Sequence, residues 1–213
     1  MKNQYRDKTL RVVVTGAGEG VGHACAAAFA RRGAELILTD SDGVALTRAG
    51  DRLSAQARFC DVASEASVAI FAADLAQAFD SIDVLINAAG NGYVRSLGMM
   101  RMSNALLPLL RRGRGNRLIV NIAPSNGVGG RHGMFPHAGS QHGFQQLSDA
   151  LALKTKGSGI AVMVVPPTLR PLPVAGEAEL GWDANSIAAR VVDLVRGQRP
   201  EWVPVAPPSR RRA

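Results

Sequence analysis

Short apolar runs recur along the chain, separated by longer stretches in which apolar residues return every three to four positions. The short runs predict strands at Arg11 to Thr15, Glu35 to Thr39, Ala57 to Cys60, Asp83 to Asn87, Arg117 to Ile122, Ile160 to Val165 and Trp202 to Val205. The longer stretches predict helices at Val21 to Arg32, Ser64 to Phe79, Leu97 to Arg112, His137 to Thr155 and Ala184 to Arg196, with Ser64 and Asp183 placed to cap two of them. Strands alternating with helices are the pattern of βαβ units around a parallel sheet. The expectation is a single α/β domain over residues 1–213, a doubly wound parallel sheet of about seven strands. Right-handed crossovers then gather the carboxyl ends of the strands, and any ligand, along one edge.

Composition changes this picture little. Hydrophobic residues make up 46% of the chain and charged ones 20%, as in ordinary globular domains. No stretch of the sequence has the roughly 20 apolar residues that span a bilayer, and the N-terminal MKNQYRDKTL has no apolar centre, so a cytoplasmic protein without a membrane partner is expected. Cys25 and Cys60 have no CxxC spacing, consistent with a reducing compartment and with neither acting as ligand or nucleophile. A net charge of +8 raises nucleic acid as a partner. Its distribution argues the other way: much of the excess lies in Arg111, Arg112, Arg114 and Arg117 around a glycine-containing turn and in the basic tail, residues 206–213. A solvated turn and a chain end account for both. His132, His137 and His142 are five residues apart, which does not place two imidazoles on one helix face, and no metal is expected.

The chemistry begins at Thr15-Gly-Ala-Gly-Glu-Gly-Val-Gly22, which follows an apolar strand and opens an alanine-rich helix. Such a loop carries a dinucleotide pyrophosphate on the N-H groups and positive end of the helix, with glycines 16, 20 and 22 allowing the turn and the close approach. Gly18, Glu19 and Val21 complete the loop. Asp40 ends the second strand 18 residues beyond Gly22, where a carboxylate accepts from both hydroxyls of an adenosine ribose. Glu19 adds a second carboxylate that would repel a 2'-phosphate, so NAD (NADH) is expected over NADP. The alternative for Asp40 is a turn residue before Ser41-Asp42-Gly43.

The TGxxxGxG spacing, followed by Asp61-Val62 and by Asn87-Ala88-Ala89-Gly90, resembles the short-chain dehydrogenase/reductase family from about Thr9 to Pro166. The resemblance implies a Rossmann fold and a nicotinamide dinucleotide. It also implies an adenine contact from Asp61 and a role for the Asn87 motif in stabilising the central strand beside the cofactor.

It breaks at the catalytic tetrad of Asn, Ser, Tyr and Lys. Arg117-Leu-Ile-Val-Asn-Ile-Ala-Pro124 resembles the strand that carries the catalytic serine, and Pro124 takes that place. Where YxxxK is expected the chain reads His137-Ala-Gly-Ser-Gln141, so His137 replaces Tyr and Gln141 replaces Lys. Arg95 holds the position of the catalytic Asn, and the segment between Gly90 and Arg95 is shorter than the resemblance implies. Hydride transfer to a carbonyl needs a donor for the developing alkoxide. Gln141 is no substitute for an ammonium. His137 has the acid/base chemistry for the task, with Ser125 polarising the carbonyl if the strand shifts by one residue, but the favoured reading of His137, with His132 and His142, is an exposed loop and helix start.

Two functions follow. The first is an NAD(H)-binding dehydrogenase homologue whose own activity is lost or very weak, a sensor or a non-catalytic partner subunit. The second is an active oxidoreductase or dehydratase using His137 and Ser125 on a small-molecule substrate. A basic nucleic-acid binder is a third. The family's dimerising helices resemble Leu97 to Arg112 and His137 to Thr155, whose stripes Leu97, Met100, Met102, Leu106, Leu109 and Phe144, Leu147, Leu151, Leu153 predict a homodimer or a pair with an active related subunit.

Overall fold

Val12 and Val14 face one side of a sheet and Val13 the other, and all three are fully buried because helices cover both sides. A computed structural model describes residues 9–90, 92–115, 117–123, 135–165 and 184–195. Its elements run β1 (Arg11–Thr15), α1 (Gly20–Ala30), β2 (Glu35–Thr39), α2 (Gly43–Leu53), β3 (Gln56–Ala57), α3 (Glu65–Ala78), β4 (Val84–Asn87), α4 (Gly92–Arg112), β5 (Arg117–Ile122), α5 (Phe135–Thr155), β6 (Ile160–Val165) and α6 (Ala184–Val195). Six strands form one sheet in the order β3-β2-β1-β4-β5-β6, and every pairing is parallel. The strand order reverses between β1 and β4, which opens a crevice at their carboxyl ends.

One apolar cluster joins α1, α2 and α6 to one face through Phe29, Leu46 and Val191, and a second joins α3, α4 and α5 to the other through Phe71, Leu106 and Leu151. Ser64 caps α3, accepting from the backbone N-H of Ser67.

The structure corrects the sequence reading in four places. A helix absent from the expected set, α2, fills the stretch after Asp40. Asp42 caps it by accepting from Val44 and Ala45 N-H, and Leu46, Ala49 and Gly50 are its buried residues. Its signal is in the sequence, with Leu46, Ala49, Gly50 and Leu53 at helical spacing behind the Asp42 cap; two glycines in eleven residues obscure it, and packing against β2 and β3 completes it. The third strand is only Gln56–Ala57 at the sheet edge, not Ala57 to Cys60. The fourth helix begins at Gly92 rather than Leu97, two residues after Gly90. Arg117, assigned to a solvated turn, is buried, and its guanidinium donates to the carbonyls of Gly115 and Ser158, tying together the two loops that lead into β5 and β6. The seventh strand expected at Trp202 to Val205 and the cap expected at Asp183 lie outside the described residues.

Candidate functional site

Thr15 and Gly16 carry the chain out of β1 against the end of β4. The Thr15 hydroxyl, fully buried, accepts from the N-H groups of Ala88 (3.0 Å) and Ala89 (3.1 Å). Gly16 has φ +65, and a Cβ there would lie 2.8 Å from the Ala89 Cα. The two segments at the strand-order reversal are thus held at a separation that admits only glycine. Gly22 is more constrained still, since a Cβ would stand 2.0 Å from the Gly16 carbonyl oxygen. Gly20, by contrast, has φ +58 and open space where its Cβ would be. Glu19 is the exposed N-cap residue of α1 but makes no side-chain cap bond, so its carboxylate leaves the N-H groups of the first turn to other acceptors.

Asp40 serves the turn that the sequence allowed as its alternative role. One carboxylate oxygen accepts from Gly18 N-H at 2.9 Å and the other from Asp42 N-H at 3.0 Å, so it clamps the glycine loop to the start of α2. Each oxygen has a further acceptor site, and the half-buried group still has an outward side for a ribose diol. Gly20's open space, the uncapped first turn of α1 and the spare acceptor capacity of Asp40 all fit a nicotinamide dinucleotide.

A residue the sequence reading passed over also shapes the loop. The half-buried His23 imidazole donates from Nδ1 to the Ala17 carbonyl oxygen at 3.2 Å. Its only sequence signal is its place one residue after Gly22.

Asp61 and Val62 serve the turn into α3. Asp61 accepts from Ala63 N-H and donates its own N-H to the Ser67 hydroxyl. Val62 is buried beneath α4, where a Cβ at Gly98 would come within 2.6 Å of its Cγ2. Cys25 and Cys60 are buried thiols; desolvation pushes Cys25 up to about 12 and raises Cys60 as well. Neither is a thiolate near neutral pH.

On the other side of the crevice, side chains rather than backbone join the elements. Asn87 donates from Nδ2 to the Ser103 hydroxyl on α4 (3.0 Å) and to Asn121 Oδ1 on β5 (2.9 Å). Asn121 donates to the Ser148 hydroxyl on α5, which donates to the Phe144 carbonyl. All four side chains are buried, and at a net worth of about 1 kcal/mol per bond the chain of hydrogen bonds fixes α4 and α5 across β4 and β5. Asn87 therefore braces the central strands. Its partners Ser103, Asn121 and Ser148 could not be picked out from the sequence, because no local spacing marks them.

Nearer the carboxyl edge, Met99, Ala123 and Phe144 pack together. Residues of α5 before Phe144 run on beyond the end of β5, so positions 137 and 141 stand at the crevice edge of the sheet. Arg95, in the opening turns of α4, reaches the same edge: its Nε donates to the Gly90 carbonyl at 2.8 Å and its Nη1 to the Ile122 carbonyl at 3.3 Å. Burial lowers its pKa from the ordinary value. The side chains of His137 and Gln141, and all of Pro124 and Ser125, lie outside the described residues. Among the described residues no cluster of His, Cys, Asp or Glu could hold a metal ion, and no helix is long and apolar enough to cross a membrane.

A parallel sheet whose strand order reverses beside a glycine-rich turn defines a Rossmann-type protein. Residues 10–171 match the family described as short chain dehydrogenase, and the chain belongs to that family. Among curated relatives it is 31% identical to an L-fucose dehydrogenase of Oryctolagus cuniculus over 73% of this chain and 61% of that enzyme, so the similarity spans less than two thirds of the relative's length. Among solved structures it resembles a Pseudomonas aeruginosa RhlG/NADP active-site complex, with TM-score 0.79, 24% identity and 92% of each chain covered. It also resembles a 3-ketoacyl-(acyl-carrier-protein) reductase from Brucella melitensis complexed with NADH, with TM-score 0.67, 23% identity and 74% of each chain covered. Membership of this family implies a nicotinamide dinucleotide; neighbours with NADP and with NADH leave the choice between the two to the loop itself.

Proposed function

We propose that this chain is an NAD(H)-dependent oxidoreductase that interconverts an alcohol and a carbonyl on a small molecule, with His137 in the proton-transfer role. The observation that carries the reading is the Asp40 clamp: a carboxylate fixed between Gly18 and Asp42 at the edge of the crevice, with acceptor capacity to spare. An outward carboxylate accepts from ribose hydroxyls and repels a 2'-phosphate, and exposed Glu19 on the same loop acts in the same sense. The first turn of α1 receives the pyrophosphate. Bound NADH would supply the hydride for carbonyl reduction, and bound NAD would accept it in alcohol oxidation. His137, at the crevice end of α5, exchanges the proton with the substrate oxygen, and Ser125 orients that oxygen. The similarity to a named sugar dehydrogenase favours an active enzyme over one that has lost turnover.

A second reading, a non-catalytic NAD(H)-binding sensor or partner subunit, is favoured by one observation: Arg95, Pro124, His137 and Gln141 fill all four tetrad positions. Two measurements separate the readings. Fluorescence titration should give NADH binding at least tenfold tighter than NADPH, and equal affinities or no binding would overturn the cofactor assignment. Oxidation of NADH with a panel of small carbonyl compounds should be lost in His137→Ala; absence of turnover in the parent protein, with NADH bound, would establish the second reading.

For assembly we propose a homodimer, or a pair with a related subunit, through α4 and α5. Most of the stripe expected to serve it is used within the chain: Met102, Leu106, Leu109, Phe144 and Leu151 are buried, leaving Leu97, Met100 and Leu147 half-buried and Leu153 at 72% exposure. Light scattering decides it, a monomer of 22.4 kDa at tens of micromolar excluding the homodimer.

A further inference from the structure

We infer that Arg95 is an anchor for an anionic oxygen group on the substrate, so that the small molecule accepted at this site is an oxo acid or hydroxy acid rather than a neutral alcohol or ketone. The inference rests on the oxidoreductase reading and names the substrate class for it.

The argument begins with what a guanidinium requires. It has five N-H donors and a charge that burial leaves poorly hydrated, so a buried arginine ordinarily meets a carboxylate. Among the half-buried arginines, Arg11 pairs with Glu35 and Arg58 with Asp74, whereas the more deeply buried Arg117, at the opposite end of β5, is held by the carbonyls of Gly115 and Ser158. Arg95 meets no carboxylate among the described residues. Its two hydrogen bonds run to the carbonyls of Gly90 and Ile122, which use Nε and Nη1 and compensate the charge only through dipoles. Three donors are left over.

The placement of that cation gives it a use. Gly90 follows β4 and Ile122 ends β5, so the two carbonyls fix the guanidinium across the carboxyl ends of the two strands next to the strand-order reversal. This is the edge where open α/β sheets take ligands. It is also the edge toward which α5 carries His137. Arg95's neighbour on α4, Ser96, is 5% exposed and its hydroxyl has no partner among the described residues, so a second polar group in the same turn lacks a bond. An anion on the guanidinium would restore its missing countercharge, with a bidentate carboxylate the best geometric match. A charge held there gives the substrate a fixed end, and the hydroxyl or carbonyl a defined distance from it is the end that reacts.

The test uses acetoacetate and its neutral methyl ester as probes on the intact protein, with and without saturating NADH, read by calorimetry. Acetoacetate should bind at least tenfold more tightly than the ester, and the preference should disappear in Arg95→Gln and persist in part in Arg95→Lys. NADH affinity should change less than threefold in either variant. Equal affinity for acid and ester in the parent protein overturns the inference without any variant, which covers the case in which Arg95→Gln does not fold. A preference unchanged in Arg95→Gln also overturns it. Weaker NADH binding in that variant, with no effect on the acid, would make the anion the cofactor's own phosphate and overturn it as well. If NADH does not bind at all, the oxidoreductase reading fails, while selective binding of acetoacetate to the protein alone would still support the anion site.

Discussion

The two sides of the crevice are built by different means. On the β1 side the tightest constraints are steric and lie in the backbone, Gly16 pressed against Ala89 and Gly22 against the Gly16 carbonyl, with the Thr15 hydroxyl adding two bonds from the β4 end. On the β4 and β5 side the ends of the strands are joined by side chains, through Asn87, Asn121, Ser103 and Ser148 and through Arg95 bridging two carbonyls. A backbone contact at 2 to 3 Å admits one residue type, whereas a side-chain brace has several chemical solutions. That difference accounts for a glycine loop that keeps the family's spacing beside Arg95, Pro124, His137 and Gln141 at the positions that the resemblance assigns to the tetrad.

The comparison breaks most visibly at glycine. Gly22→Val should destabilise the fold by about 3 kcal/mol or more, the upper end of overpacking costs, because the clash is with backbone that has nowhere to move. Gly20→Ala meets open space and should cost only about 1 kcal/mol for its left-handed φ. Chemical denaturation of the two variants measures the contrast, and similar losses would show that sterics do not govern this side.

Next in size is the polar brace. Asn87→Ala leaves Asn121 Oδ1 and the Ser103 hydroxyl short of a donor inside the core, and should cost about 1 to 3 kcal/mol. Hydrogen exchange should show α4 and α5 loosening together. Loosening confined to α4 would mean that the hydrogen-bond chain does not couple the two helices.

A smaller effect is expected of Asp40→Ala. The tenfold preference for NADH proposed above corresponds to about 1.4 kcal/mol and should fall toward parity, with some loss of stability because Gly18 and Asp42 lose their acceptor. An undiminished preference would assign the selectivity to Glu19.

The Cys25 thiol offers a gentler probe of the same side. With its pKa pushed up to about 12 in the folded protein and near 8.5 in an unfolded chain, the thiol keeps its proton when folded and sheds it when unfolded as pH rises. Its contribution to stability is therefore complete below about pH 8.5 and declines above it. Native protein at pH 9 should resist a thiol reagent that modifies unfolded protein at once. Rapid native labelling would show the α1 side opening easily.

The smallest effect is expected where a gain is most tempting. By the resemblance, His137→Tyr with Gln141→Lys would restore two tetrad members and leave Pro124 and Arg95, and groups that act as a unit do not return activity piecemeal. No rise in turnover on simple ketones is expected; robust reduction would show that the β5 side needs less than a full tetrad.

The alternation of apolar runs sufficed for the strands β1, β2, β5 and β6 as the structure has them, because a strand buried on both faces is apolar throughout and announces itself. The glycine loop was equally legible, since its neighbours leave glycine no replacement. The sequence also carried α2, through the Asp42 cap and the helical spacing of Leu46, Ala49 and Leu53, although two glycines in eleven residues obscured it. Tertiary structure alone decided that Arg117 is buried, that α4 begins at Gly92, and that Asn87 finds Asn121 and Ser148. It also decided that Arg95 stands across two strand ends among carbonyls and no described carboxylate. These contacts join residues far apart in the chain, and local sequence carries no record of which distant groups the fold will bring within hydrogen-bonding reach.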